Sequence, residues 1–183
     1  MVSQREATIE DLYHALDDGK YELVDGRLVH MSPTGARPGH VALKIAVRLE
    51  GYETDTGRGR AFGDNVGFIV NLPRRRSFSP DAAYAYDVEI DTDDFVEGAP
   101  IFAVEVRSKG DYGLAKDIEY AAKRAEYFAA GTQVVWDVDP RKQLIASCMA
   151  NDPHTPRIFT RSDVADAEPA LPGWRVSMDE LFR

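Results

Sequence analysis

Residues 102–108 read FAVEVRS, an apolar run with a glutamate set into its middle. Phe102, Ala103, Val104 and Val106 suit a strand buried on both faces. A carboxylate in such a strand is strongly unfavourable unless it is paired, protonated or bound to a cation. Whatever this chain folds into, it must accommodate Glu105 in the middle of a sheet by one of these three means.

The surrounding pattern supplies the other elements. TIEDLYHAL, with Thr8 as cap and Ile9, Leu12 and Leu16 apolar, predicts a short helix. YELVDGRLVHM holds Asp25-Gly26 between apolar arms, a hairpin signal that pairs Val24 with Arg27 and Glu22 with Val29. SPTGARPG reads as a loop, and His40 to about Gly51 as a helix with Val41, Ile45 and Leu49 on one stripe. AFGDNVGFIVNL suggests two strands or one bent strand, DAAYAYDV a further strand, and EIDTDDFVEG a solvated loop. From about Gly113 to Ala130 an amphipathic helix is expected, with Ile118, Ala121, Ala122, Ala125 and Phe128 inward and Gly131 closing it. TQVVWDVDP and QLIASCMA are strands joined at Asp139-Pro140, and LPGWRVSMDELFR finishes in a short helix. This order predicts an α/β (α+β) layer fold with a mixed sheet, residues 1–183 forming a single domain.

Charge and composition narrow the function classes. The net charge of −9 argues against tight, non-specific nucleic-acid coating, although a local basic groove remains compatible with it. Such a groove has one concentrated candidate, Arg74, Arg75 and Arg76, a run that on most surfaces is a solvated turn. No apolar stretch approaches the ~20 residues of a membrane span. The charged N-terminus has no signal-peptide core, and Cys148 is the only cysteine, so a cytoplasmic protein with no membrane partner is expected.

The chemistry lies in carboxylates placed where strands should be. Asp81 opens a strand after Ser79-Pro80, and Glu105 lies within the next long one. Two acids on neighbouring strands can share a divalent cation, which relieves their desolvation and mutual repulsion. A cation held there activates water and stabilises charge on a phosphate, which suits phosphodiester hydrolysis. The plainer alternatives are a turn cap at Asp81 and a buried ion pair at Glu105. Asp137, inside VVWDVDP, is a further acid in apolar company that Lys123 or Arg124 would explain.

SPDAAYA, FAVEVRS and KRAEYFAAGTQVVWDVDP together resemble the Uma-type restriction-endonuclease family of the PD-(D/E)xK superfamily. YELVDGRLVHMSPTG and LPGWRVSMDELF fit the same family, so the resemblance covers nearly the whole chain. It implies a restriction-endonuclease-like core, with a central mixed sheet flanked by helices and an N-terminal hairpin. It also implies a Mg²⁺ (or Mn²⁺) centre that cleaves DNA, with metal ligands at Asp81, Glu105 and the carbonyl of Val106. The pattern expects Lys two residues after Glu105, where this chain has Arg107, which cannot act as a base. Members of the family carry the lysine on the following helix, a position matched by Lys123; a helix lysine paired with Glu119 or Glu126 is the plainer reading. Glu22, in YELVDG, matches an N-terminal acid that joins the centre; by itself it reads more plainly as an edge-strand surface residue. Candidate DNA contacts are Arg74, Arg75, Arg76, Arg107 and His40, although His40, heading its helix, reads more plainly as a capping and packing residue, and the acidic balance suggests a homodimer or partner supplying DNA-binding surface.

Two other readings stand beside this one. A catalytically degenerate nuclease fold would act as a DNA-binding or protein-interaction module, with Arg107 as its best support. A sugar hydrolase using Asp81 and Glu105 as an acid/base pair would need an aromatic cleft and no metal.

Overall fold

The computed structural model describes residues 5–15 and 19–183. Helix α1 (Ile9–His14) starts at Thr8, whose hydroxyl accepts from the Asp11 N–H while the Asp11 carboxylate accepts from the Thr8 N–H. Leu16, assigned above to this helix, falls outside the described residues. Strands β1 (Lys20–Val24) and β2 (Arg27–Met31) form the expected hairpin, with Val24 opposite Arg27 and Glu22 opposite Val29. Asp25 and Gly26 both take positive φ, 49° and 66°, as a two-residue turn of this type requires.

Helix α2 spans Ala36–Thr56, so it starts four residues earlier than the sequence pattern suggests and runs on past Gly51. Pro38 does not prevent this. In a first turn the missing N–H would have had no helical partner anyway. Strands β3 (Arg60–Phe62), β4 (Phe68–Ile69), β5 (Ser77–Phe78), β6 (Ala82–Ala85), β7 (Val96–Glu97) and β8 (Phe102–Val106) follow. The acidic segment read as loop thus contains β7, which pairs in parallel with β4.

Helix α3 (Leu114–Ala130) links β8 to β9 (Val134–Asp139), and the two strands lie side by side in parallel. Strands β10 (Leu144–Met149), β11 (Asp152–Phe159), β12 (Val164–Asp166) and β13 (Arg175–Ser177) complete the chain with helix α4 (Met178–Leu181). The central sheet has the order β11-β10-β9-β8-β6-β3, parallel only at β8–β9. It is a mixed sheet flanked by helices, as expected.

Alternation along the strands divides the sheet into two unlike faces. Phe102, Val104, Val106, Trp136 and Val138 pack with Ile45 and Leu49 of α2 and with Met178 and Leu181 of α4. Ala83, Ala85, Ala103 and Val135 point the other way, towards Phe78 and Tyr127. These small strand residues leave room for the aromatic rings and long stems of α3.

Helix α3 lies the opposite way round from its sequence pattern. Leu114 and Ile118 are 77% and 61% exposed, and Ala121, Ala122 and Ala125 are exposed as well. Phe128 is half-buried, and the one fully buried side chain of the helix is Tyr127. The reason lies in the sheet beneath. Glu105 and Asp137 stand opposite each other on β8 and β9, and α3 turns Lys123, Arg124 and Tyr127 towards them. Neutralising two buried acids outweighs burying a strip of alanines.

Candidate active site

Strands β6 and β8 pair antiparallel with Ala82 opposite Val104, so one further step places Asp81 opposite Glu105. The Asp81 N–H donates to the Val104 carbonyl at 3.0 Å, and the Val106 N–H donates to Asp81 Oδ2 at 2.6 Å. Asp81 therefore opens the strand with its side chain anchored at the end of β8. Burial, and then repulsion from Glu105, push its carboxyl up to about 7 against the opposing Val106 N–H and Lys20.

Glu105 receives its partners from α3. Lys123 Nζ lies 2.8 Å from Glu105 Oε1, and the Tyr127 hydroxyl donates to that same oxygen at 2.7 Å. Lys123 Nζ is also 3.0 Å from Glu22 Oε1, so one ammonium joins strand, helix and hairpin. Burial disfavours its charge, but Glu105 and Glu22 more than compensate and raise its pKa above the ordinary lysine value. The surface-lysine alternative does not describe this geometry, since Glu119 pairs with Lys116 and Glu126 with Arg75.

Glu22 is 3% exposed, a buried acid on the hairpin. Its carboxylate accepts from the Ser79 N–H at 3.0 Å and from Arg75 at 2.6 Å. Burial works to raise its pKa, yet Lys123 and Arg75 together hold it below the usual value. The chain reaches this arrangement because β1 lies against residues 74–77: Arg76 N–H donates to Leu23 O, and Asp25 N–H to Arg74 O.

The arginine run is consequently split. Arg75 is 7% exposed and committed to Glu22 and Glu126, with its guanidinium over the Phe78 ring at 4.9 Å. Neither a solvated turn nor a DNA-facing side chain describes it, because the buried Glu22 has drawn it inward. Arg74 pairs with Asp25 through two bonds of 2.8 and 2.7 Å, and Arg76 is exposed.

Arg107 is likewise occupied. It grips Asp137 with two bonds of 2.8 Å, reaches Asp117 at 2.5 Å and the Asp111 carbonyl at 3.1 Å, and lies over the Tyr120 ring. Its hydrogen bonds to Asp137 raise its pKa further above an already high value. Asp137 is thus explained by Arg107 and Arg124. His40 is exposed on α2, one turn in from the helix start.

Two residues of the site carry no signal in the sequence. Lys20 Nζ stands 2.5 Å from Asp64 and 4.0 Å from Asp81 Oδ1. Asp64, Asp81 and Val106 also line a cleft of about 120 Å³ whose other wall is α2, through Pro38, Gly39 and Ala42. Tyr127 lies off the inward stripe that the sequence pattern assigns to α3, so its bond to Glu105 is not legible there.

Among the described residues no group of three or more His, Cys, Asp or Glu is arranged to hold a metal ion. The donor set that fits a divalent cation is smaller, consisting of Asp81, Glu105 and the Val106 carbonyl. Asp81 Oδ1 and Glu105 Oε2 accept no hydrogen bond among the described residues, whereas each partner oxygen is already used. In an extended strand a residue's N–H and C=O point to the same side, so the Val106 carbonyl faces the Asp81 side with its N–H. Two open carboxylate oxygens and a carbonyl are the hard ligands that Mg²⁺ or Mn²⁺ takes, with water completing the shell.

The Uma2 family model, described as "Putative restriction endonuclease", matches residues 9–179. The chain belongs to the Uma2 family. A solved structure is similar to it, the crystal structure of "a putative nuclease belonging to DUF820" from Anabaena variabilis ATCC 29413. That structure superposes with a TM-score of 0.70 at 16% identity, covering 90% of each chain, which establishes the shared fold. No curated protein matches this Uma2 chain in sequence. No helix among its described residues is long and apolar enough to cross a membrane.

Proposed function

We propose that this Uma2 protein is an endonuclease that hydrolyses DNA phosphodiester bonds with a divalent cation, Mg²⁺ or Mn²⁺, held by Asp81, Glu105 and the Val106 carbonyl. The observation that carries this is the placement of Asp81 opposite Glu105, each with an open oxygen, beside the Lys123 ammonium 2.8 Å from Glu105. When bound, the cation supplies Lewis acidity towards the phosphate and the water that attacks it.

The chain's own residues do the rest. Lys123 keeps its proton at neutral pH, so it acts as a fixed positive charge that orients water or phosphate. Tyr127 holds Glu105 by one oxygen and so turns the other towards the cation. Glu22 and Arg75 fix the ammonium from behind. Arg107 belongs to the fastening of α3 rather than to the chemistry.

On this reading residues 1–183 work as one nuclease-like unit in the cytoplasm. A second copy or a partner adds DNA-binding surface to a chain whose net charge is −9. The test is cleavage of duplex, single-stranded and branched DNA with and without Mg²⁺ or Mn²⁺, in the parent and in Asp81→Asn and Glu105→Gln. Cation-dependent cleavage lost in both variants supports the reading. Cation binding without cleavage, or neither, leaves the degenerate binding module.

A further inference from the structure

We infer that Lys20 is a second working ammonium of the site: it occupies Asp81's open side until a cation arrives, then serves the substrate phosphate. This rests on the cation reading of Asp81 and Glu105 and extends it to a residue outside the family-derived set. Lys20 opens β1 two residues before Glu22, so both side chains leave the same face of the hairpin. Glu22 goes inward to Lys123 and Arg75, while Lys20 goes to the other flank of the site.

The geometry there is specific. Asp81 Oδ2 is taken by the Val106 N–H, and Oδ1 faces the Lys20 ammonium at 4.0 Å. That separation is within ion-pair range but too long for a hydrogen bond, so the attraction is one of charge and yields readily to a divalent ion. Asp64, half-exposed at the cleft wall, holds the ammonium at 2.5 Å and keeps it near the site after it leaves Asp81. Lys20 itself is only 17% exposed in its side chain, its ammonium held between Asp64 and Asp81. With Lys123 on the Glu105 side and Lys20 on the Asp81 side, the paired carboxylates lie between two ammoniums. A phosphate diester brought to the cation would meet both.

The two roles give opposite signs in one variant. Mn²⁺ titration by calorimetry and steady-state cleavage of duplex DNA at saturating Mn²⁺ are compared in the parent, Lys20→Met and Asp64→Asn, with melting curves to verify folding. Lys20→Met is expected to bind Mn²⁺ about fivefold more tightly, because a rival charge ~4 Å away is gone. The same variant is expected to cut about tenfold more slowly, with the salt slope of DNA binding reduced by ~0.9. Asp64→Asn, at a half-exposed position, frees Lys20 onto Asp81 and weakens Mn²⁺ binding about fivefold. Unchanged or weaker Mn²⁺ binding in Lys20→Met overturns the inference, as does parental cleavage. Should Lys20→Met fail to fold, parental Mn²⁺ affinity in Asp64→Asn overturns it instead. A parent chain that takes up no Mn²⁺ overturns the cation reading itself, and that outcome is distinct from a parent that binds and a Lys20 variant that does not differ.

Discussion

The Lys123 ammonium reaches from helix α3 to Glu105 on strand β8 and bridges it to Glu22 on the hairpin, at 2.8 and 3.0 Å. Lys123→Met is expected to lower turnover about 100-fold or more, while Mn²⁺ titration still reports one binding event. It should also weaken the fold, since two buried carboxylates lose their shared partner. Rates are therefore compared per folded molecule, at a temperature where melting curves show the variant intact. Parental turnover would place the active ammonium elsewhere.

Arg107 has the opposite expectation. Arg107→Ala leaves Asp137 with Arg124 alone, at 3.5 Å, and should destabilise the protein by about 3 kcal/mol or more in urea unfolding. Arg107→Lys loses the two-pronged grip and is less stable than the parent, but retains most cleavage activity. A collapse of activity in a well-folded Arg107→Lys would assign this arginine to the chemistry.

The three consecutive arginines should separate under single substitution. Arg75→Ala strips a buried partner from Glu22 and costs about 3–5 kcal/mol of stability. Arg74→Ala and Arg76→Ala leave the melting temperature within a few degrees. Where either arginine meets a phosphate of bound DNA, its removal lowers the salt slope of binding by ~0.9. Three variants with equal melting temperatures would contradict the inward placement of Arg75.

Asp81 predicts a pH dependence whose sign follows from its position. In the folded chain its carboxyl holds a proton up to about 7, whereas in the unfolded chain it releases it near ~4. Between those values the folded state binds more protons, so this group subtracts stability as pH rises, and the loss is complete above about 7. In EDTA, Asp81→Asn should melt with the parent near pH ~4 and about 3 °C or more above it near pH ~8. A melting difference independent of pH would mean that Asp81 does not titrate in this window.

Much of the fold can be read from local pattern. Asp25-Gly26 set the hairpin register, Thr8 the start of α1, Gly131 the end of α3, and FAVEV the strand that carries Glu105. The orientation of α3 cannot be read, because periodicity records which residues are apolar and not what faces them across the layer. Its direction is set by Glu105 and Asp137, which lie on strands before and after the helix. Lys20 and Asp64 are silent in the sequence for a related reason: each is an ordinary charged residue at a strand end or turn, and only the packing of hairpin and turn against the central sheet brings them to Asp81. Arg75 reads as exposed from its neighbours because its buried partner, Glu22, lies 53 residues away in the chain.

The inward turn of α3's charged side has a consequence for descent. Glu105 and Lys123 are also part of what fastens the helix to the sheet. A lineage that no longer needed cleavage could not discard either residue alone without loosening that attachment. Selection for a stable chain would by itself preserve the pair, so a retired relative would keep the outline of a working centre long after its last cut.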